Sequence, residues 1–246
     1  MIFLELVPRD LDTLLKEAQV SLSTFNAIYG INVPDVKRLP IRSILASAML
    51  LENNIPNMPH IRCMDYSLNE HISHISRLVD AGLTHVLLVT GDPIHNQQSS
   101  PNHVHPTAMC TALKRKFPKL HVYCALDPYR QSIQAELRYA QEKINAGADG
   151  LFTQPFFDEK LAKIYCEQLA HTTLFVGIAP VLSIQSYQYW VDVNKVVFPA
   201  CFNNSLEYNC TLAKNIIALA TKEGQHSYIM PIKTDIMAYL SGIFTT

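Results

Sequence analysis

The sequence predicts an α/β protein of the (β/α)8 TIM-barrel class, one domain over residues 1–246. Three observations point there. Eight short apolar runs alternate with longer segments whose apolar residues recur at three- and four-residue spacing. The length of 246 residues suits one barrel closed by eight parallel strands. The alternative, an open doubly wound sheet, would be expected to carry GxGxxG or GxxxxGK after its first strand, and neither occurs in a chain with only eight glycines.

In chain order the expected strands are "IFLELV" (2–7), "FNAIYGINV" (25–33), "MPHIRCM" (58–64), "HVLLVTG" (85–91), "LHVYCALD" (120–127), "GLFTQP" (150–155), "TLFVGIAP" (173–180) and "SYIMPI" (227–232). Segments such as "LDTLLKEAQVSL", "LNEHISHISRLVDAG" and "IQAELRYAQEKINAG" supply the crossovers that parallel strands require. Ser67 and Ser183 stand where N-caps are needed, and Asp158 can cap the helix after the sixth strand. Gly82 and Gly147 follow the last turns of their helices as left-handed C-terminal caps would. "DAGLTHVLLVTGDP" (80–93) and "NAGADGLFTQPF" (145–156) echo each other as copies of one βα unit.

Composition narrows the function classes. The chain is 48% hydrophobic and 17% charged with a net charge of -1, so it carries no electrostatic footprint for nucleic acid or an anionic membrane. No apolar run approaches a membrane span. The start, "MIFLELVPRDLD", does not read as a secretory signal, and a cytoplasmic location is expected. Six scattered cysteines read as reduced thiols, and "HVH" (103–105), without a third ligand, is not expected to bind metal. The "HISHIS" face (71–76) reads as solvated.

In a parallel barrel the strand C-termini share one mouth. They would bring together Glu5, His60, Arg62, Thr90, Asp92, Ala125, Asp127, Gln154, Ala179 and, just beyond the eighth strand, Lys233. Gln154, ending an apolar run, is expected to face a ligand there, with Phe156 and Phe157 walling that ligand from water. Plainer roles compete: a salt bridge for Glu5, a turn cap for Asp92, a core position for His60, a loop contact for Gln154. The convergence of four polar groups from four strands favours a site.

The motifs "FLELVP", "PHIRC", "TGDP", "AGADGLFTQPFFD" and "GIAPV", in this order over nearly the whole chain, resemble those of the methylenetetrahydrofolate reductase family. The resemblance implies a (β/α)8 enzyme of one-carbon metabolism serving methionine biosynthesis. Such an enzyme takes hydride from NADH or NADPH onto FAD and passes it to 5,10-methylenetetrahydrofolate. It implies Glu5 and Asp92 as catalytic residues, and Asp92, Gln154, Phe157 and Lys233 as folate contacts. His60, Thr90, Gly91, Asp92, Ala125, Glu136 and Lys143 would hold the flavin, the last acid–lysine pair meeting its ribityl chain and diphosphate. It leaves open a homo-oligomer and a one-carbon methyltransferase partner. The chain departs from the pattern at Thr90 (Arg in better-known members), Tyr139 (Asn), Glu142 (Arg) and Lys233 (Arg), and Tyr129 offers a loose substitute for a missing tyrosine. Those departures weaken the expected flavin contacts and raise an alternative: a catalytically degenerate relative that binds folate or a partner. A barrel aldolase or lyase would need a Schiff-base lysine on a strand end or a metal set, and none of these strands ends in a lysine.

Overall fold

A computed structural model describes residues 1–91 and 104–245. The expected closed barrel is present, with eight parallel strands in the order β1 to β8. They are β1 (Ile2–Glu5), β2 (Ile28–Val33), β3 (Asn57–Arg62), β4 (His85–Val89), β5 (His121–Leu126), β6 (Gly150–Pro155), β7 (Leu174–Ile178) and β8 (His226–Ile229). The circle closes where β1 pairs with β8, Leu4 lying opposite Ile229. The helices are α1 (Leu11–Thr24), α2 (Ser43–Glu52), α3 (Leu68–Asp80), α4 (Pro106–Lys116), α5 (Ile133–Asn145), α6 (Glu159–Gln168), α7 (Ile184–Asp192), α8 (Leu206–Lys222) and α9 (Ile236–Phe244). None of the described helices is long and apolar enough to cross a membrane.

Local signals set the element ends. Ser67 accepts from the Glu70 N–H while Glu70 returns a bond to the Ser67 N–H, a reciprocal capping box. Ser183 and Asp158 cap α7 and α6 in the same way from one side. Gly82 and Gly147 adopt φ of 99° and 100°. The residues after them donate back to Leu78 and Lys143, which ends α3 and α5 in Schellman turns.

The period-two alternation of strands sorts the core into two shells. Leu4, Ile31, Ile61, Leu88, Leu151 and Val176 point outward into the layer beneath the helices. Phe3, Met58, Leu87, Tyr123, Phe152, Phe175 and Tyr228 point inward and fill the barrel. Phe152 and Phe175 stack there at 4.0 Å. A solid interior means that any ligand site lies above this plug, at one end of the cylinder.

One irregularity matters for that end. Between β6 and β7 the register runs Phe152 opposite Phe175, then Pro155 opposite Gly177, so three steps on β6 face two on β7. This is a β-bulge. The Thr153 hydroxyl oxygen accepts from the Gly177 N–H at 2.7 Å and makes up the interrupted ladder. The extra residue reverses the alternation beyond it. Phe156, which unbroken alternation would turn inward, lies instead in the outer core against Tyr165 of α6.

Two expectations are corrected here. Phe156 does not wall the mouth, for the reason just given. The "HISHIS" face is not wholly solvated, because His71 is buried, with its Nε2 3.2 Å from the Cys63 carbonyl oxygen. Cys63, Cys110, Cys124, Cys166 and Cys210 are buried free thiols, and Cys201 is exposed.

Candidate active site

The C-terminal ends of the strands open into a cleft of about 1070 Å³. Glu5, His60, Ala125, Gln154 and Lys233 all line it, from β1, β3, β5, β6 and the turn after β8. The shared parity of these positions explains the convergence. Glu5 lies two residues beyond Phe3, His60 two beyond Met58, Ala125 two beyond Tyr123 and Gln154 two beyond Phe152, and those four belong to the inward shell. Each polar group is therefore the next inward position above the apolar plug, and Gln154 is exposed to the cleft.

At the base, Glu5 accepts a hydrogen bond from the Tyr228 hydroxyl across the β1–β8 seam. Burial pushes the Glu5 carboxyl up to about 7, and the Tyr228 bond opposes part of that rise by favouring the ionised form. The carboxyl can therefore hold a proton near neutrality and release it within a small pH change. His60 Nε2 lies 4.0 Å from Glu5 and 3.5 Å from the Tyr228 oxygen. Desolvation lowers His60 to about 3, so it stands beside the acid as a neutral imidazole and not as its counter-ion. Burial and the adjacent Glu5 carboxylate hold the Tyr228 phenol well above its usual range, so it remains a donor.

Charge at the rim has the opposite sign. Among the described residues, Arg9, Arg38, Arg130, Lys195 and Lys233 are exposed around the opening, against one rim carboxylate, Asp127. Lys233 turns in a left-handed conformation, φ 51°, directly after β8. Tyr129 and Trp190 contribute aromatic surface between the cations. The cleft thus combines a tuned acid at depth, an amide midway, an apolar floor of Leu87, Phe152 and Met230, and a cationic entrance for anionic ligands.

Other expected residues lie elsewhere. Phe157 is buried behind the wall, packed on Trp190 at 5.1 Å and Phe198 at 4.8 Å, so it supports Trp190 and does not itself face the cleft. Thr90 and Gly91 follow β4 at the same end but are not among the lining residues. Asp92 and the histidine at 103 fall outside the described residues. Glu136 and Lys143 face each other's neighbours within the β5–α5 unit and do not line the mouth. Glu136, fully buried, accepts from Arg130 Nη2 at 2.8 and 3.1 Å, from Gln131 Nε2 at 2.8 Å and from the Asp127 N–H at 3.1 Å. The Lys143 ammonium donates to the Ala125 carbonyl at 2.6 Å and sits 3.7 Å above the Tyr139 ring. Among the described residues no cluster of three or more His, Cys, Asp or Glu side chains is arranged to hold a metal ion.

Tyr228, Arg130 and Trp190 also line the cleft, and the strand-end rule does not single them out. Tyr228 had a usable signal, since it alternates with Met230 inside an apolar run. Arg130 and Trp190 lie outside strands, where period two says nothing.

A sequence profile of the methylenetetrahydrofolate reductase family matches residues 23–221, most of the chain. The chain belongs to the methylenetetrahydrofolate reductase family. The matched span stops short of Glu5, Tyr228 and Lys233, and closure of the barrel brings β1 and β8 beside it. Relatives in this family include a Caenorhabditis elegans protein named "Probable methylenetetrahydrofolate reductase (NADPH)". It is 22% identical over 188 residues, covering 72% of this chain and 28% of that one. The 5,10-methylenetetrahydrofolate reductase of Escherichia coli is 25% identical over 149 residues, covering 58% of this chain and 50% of its own. That of Pectobacterium carotovorum is 26% identical over 155 residues, covering 57% and 49%. The chain therefore spans half or less of these relatives. Solved structures sharing the fold include 2,3-dimethylmalate lyase, with a TM-score of 0.61 at 12% identity over 95% of this chain and 75% of that one. Oxaloacetate acetylhydrolase follows with a TM-score of 0.60 at 12% identity over 98% and 78%. At such identities they report the barrel and nothing of the chemistry.

Family resemblance also implies a flavin held through Glu136 and Lys143, and the residues present do not fit that group. A ribityl chain and diphosphate need free donors and acceptors facing the cleft. Here the acid accepts four hydrogen bonds from three partners, and the lysine is buried against a carbonyl oxygen and a ring. Glu136→Ala would leave Arg130 without its partner and remove the anchor of the 127–131 turn. Because Arg130 is 44% exposed, a loss near the lower end of about 3–5 kcal/mol is expected, read from urea unfolding.

Proposed function

We propose that this protein reduces 5,10-methylenetetrahydrofolate to 5-methyltetrahydrofolate, with NADH or NADPH as the source of hydride. The observation that carries the reading is the Glu5 carboxyl, raised to about 7 and bound to Tyr228 at the base of the cleft, in a chain of this family. The imidazolidine ring of the substrate must open before its bridging carbon can accept hydride. Protonation of N10 by Glu5 breaks the bond from N10 to that carbon and leaves an iminium at N5. Hydride addition to the iminium carbon then yields the methyl group. The Gln154 amide, donor and acceptor at once, suits the mixed edge of a pterin or a nicotinamide carboxamide. The cations at the rim suit folate carboxylates and dinucleotide phosphates. The apolar floor excludes water that would hydrolyse the iminium.

The test is direct: the purified protein with methylenetetrahydrofolate should oxidise NADH or NADPH and form methyltetrahydrofolate, identified by mass. Tyr228→Phe supplies a second check. Removing a donor that favours ionised Glu5 should raise its pKa, so the alkaline fall of activity moves to higher pH. An unchanged pH profile would separate Tyr228 from the acid. The engaged state of Glu136 and Lys143 favours a second reading, a relative that binds folate without reducing it. Folate binding with no nicotinamide oxidation would establish that one.

A further inference from the structure

We infer that hydride passes from the reduced nicotinamide to the folate carbon directly, with both ligands together in the mouth and no resident flavin between them. The inference rests on the reductase reading above and concerns only the route of that hydride. Its first support is the closed cluster on β5 and α5. Arg130, Gln131 and the Asp127 N–H occupy the oxygens of Glu136, while Tyr139 carries both Lys143, at 3.7 Å, and the Arg130 guanidinium, at 4.9 Å. One carboxylate, two cations and a ring face satisfy one another. A flavin diphosphate could reach Lys143 only by displacing the Tyr139 ring and stripping Arg130 from a fully buried carboxylate.

The second support is independent of that cluster. The cations outside that cluster are distributed around the opening, Arg9 after β1, Arg38 after β2, Lys195 after α7 and Lys233 after β8. This is the arrangement for anions arriving separately from several sides. A single prosthetic group would instead call for one concentrated phosphate seat. The cleft of about 1070 Å³ lies at the upper limit of volumes that enclose one small ligand, and its floor of Leu87, Phe152 and Met230 is broad and apolar.

The direct step balances without a further reactant. Glu5 gives its proton to N10 as the bond from N10 to the bridging carbon breaks. The nicotinamide C4 gives hydride, two electrons and a proton, to the iminium carbon. The products are the N5-methyl folate, oxidised nicotinamide and ionised Glu5, which regains its proton from water.

Deuterium at C4 of the nicotinamide distinguishes the routes. A reduced flavin exchanges its transferable hydrogen with solvent between half-reactions, whereas direct transfer keeps the label. The full chain is assayed with NADH and NADPH bearing deuterium on either C4 face. The expected result is a deuterated methyl group from one face only, at a rate that added FAD leaves unchanged and with kinetics requiring both substrates bound together. A methyl group carrying solvent hydrogen, or turnover that depends on added FAD, would overturn direct transfer while leaving the reductase reading intact. No methyl product from either nicotinamide, with or without FAD, would overturn both.

Discussion

Glu5→Gln is expected to lower the rate of folate reduction by about a hundredfold or more, the scale on which a positioned general acid contributes. Glutamine keeps the volume and an acceptor for the Tyr228 hydroxyl, so the cleft retains its shape while the proton is lost. Folate affinity should therefore change little, and the loss should appear in kcat. The same substitution has a signature in stability. The folded carboxyl titrates at about 7 and the unfolded one at its ordinary 4.5, so the native state holds the extra proton between those values. The contribution of Glu5 to stability is complete below pH 4.5 and falls away as pH rises toward 7, by on the order of 3 kcal/mol. Urea midpoints measured across that window should fall in the wild type and stay flatter in Glu5→Gln. Parallel curves for the two proteins would show that Glu5 is not the raised group.

Gly177→Ala should be strongly damaging for so small a change. A methyl at this position would stand 2.5 Å from the Thr153 carbonyl oxygen and 2.7 Å from that of Gln154, both backbone atoms that no side-chain rotation can move. The bulge on β6 exists around that missing methyl. Relieving the clash requires β6 to shift, which releases the Thr153 bond and carries Gln154 with it. A stability loss of about 3 kcal/mol is expected, with kcat/KM for the folate down by about a hundredfold in whatever fraction folds. Normal kcat/KM in a destabilised variant would mean that Gln154 is not held by the bulge.

Much of this architecture was legible because parallel strands have simple rules. Eight apolar runs at regular spacing specify the barrel, and Ser67, Ser183, Asp158, Gly82 and Gly147 each mark an element end through one local hydrogen bond or one backbone angle. The group Glu5, His60, Ala125, Gln154 and Lys233 followed from placing strand ends at one mouth. The rest depended on partners distant in sequence. Phe157 looked like a wall residue because nothing near it in the chain announces Trp190, Phe198 and Phe202, which enclose it. Glu136 and Lys143 are two helical turns apart on one face, as a phosphate-binding pair could be. That spacing does not say that Arg130 and Tyr139 already fill the space between them. His71 sits in a polar hexapeptide that carries no local mark of the Cys63 carbonyl opposite it.

The partnership of Glu5 with Tyr228 joins groups 223 residues apart in sequence, across the seam where the cylinder closes. During synthesis on the ribosome the acid emerges with the first strand of the barrel, and its phenol partner only with the eighth. Without β8 the Tyr228 bond is missing, and a glutamate left in water is ionised at neutral pH. The raised carboxyl of Glu5 is thus a property of the closed barrel, and a copy interrupted before β8 would carry the side chain without it.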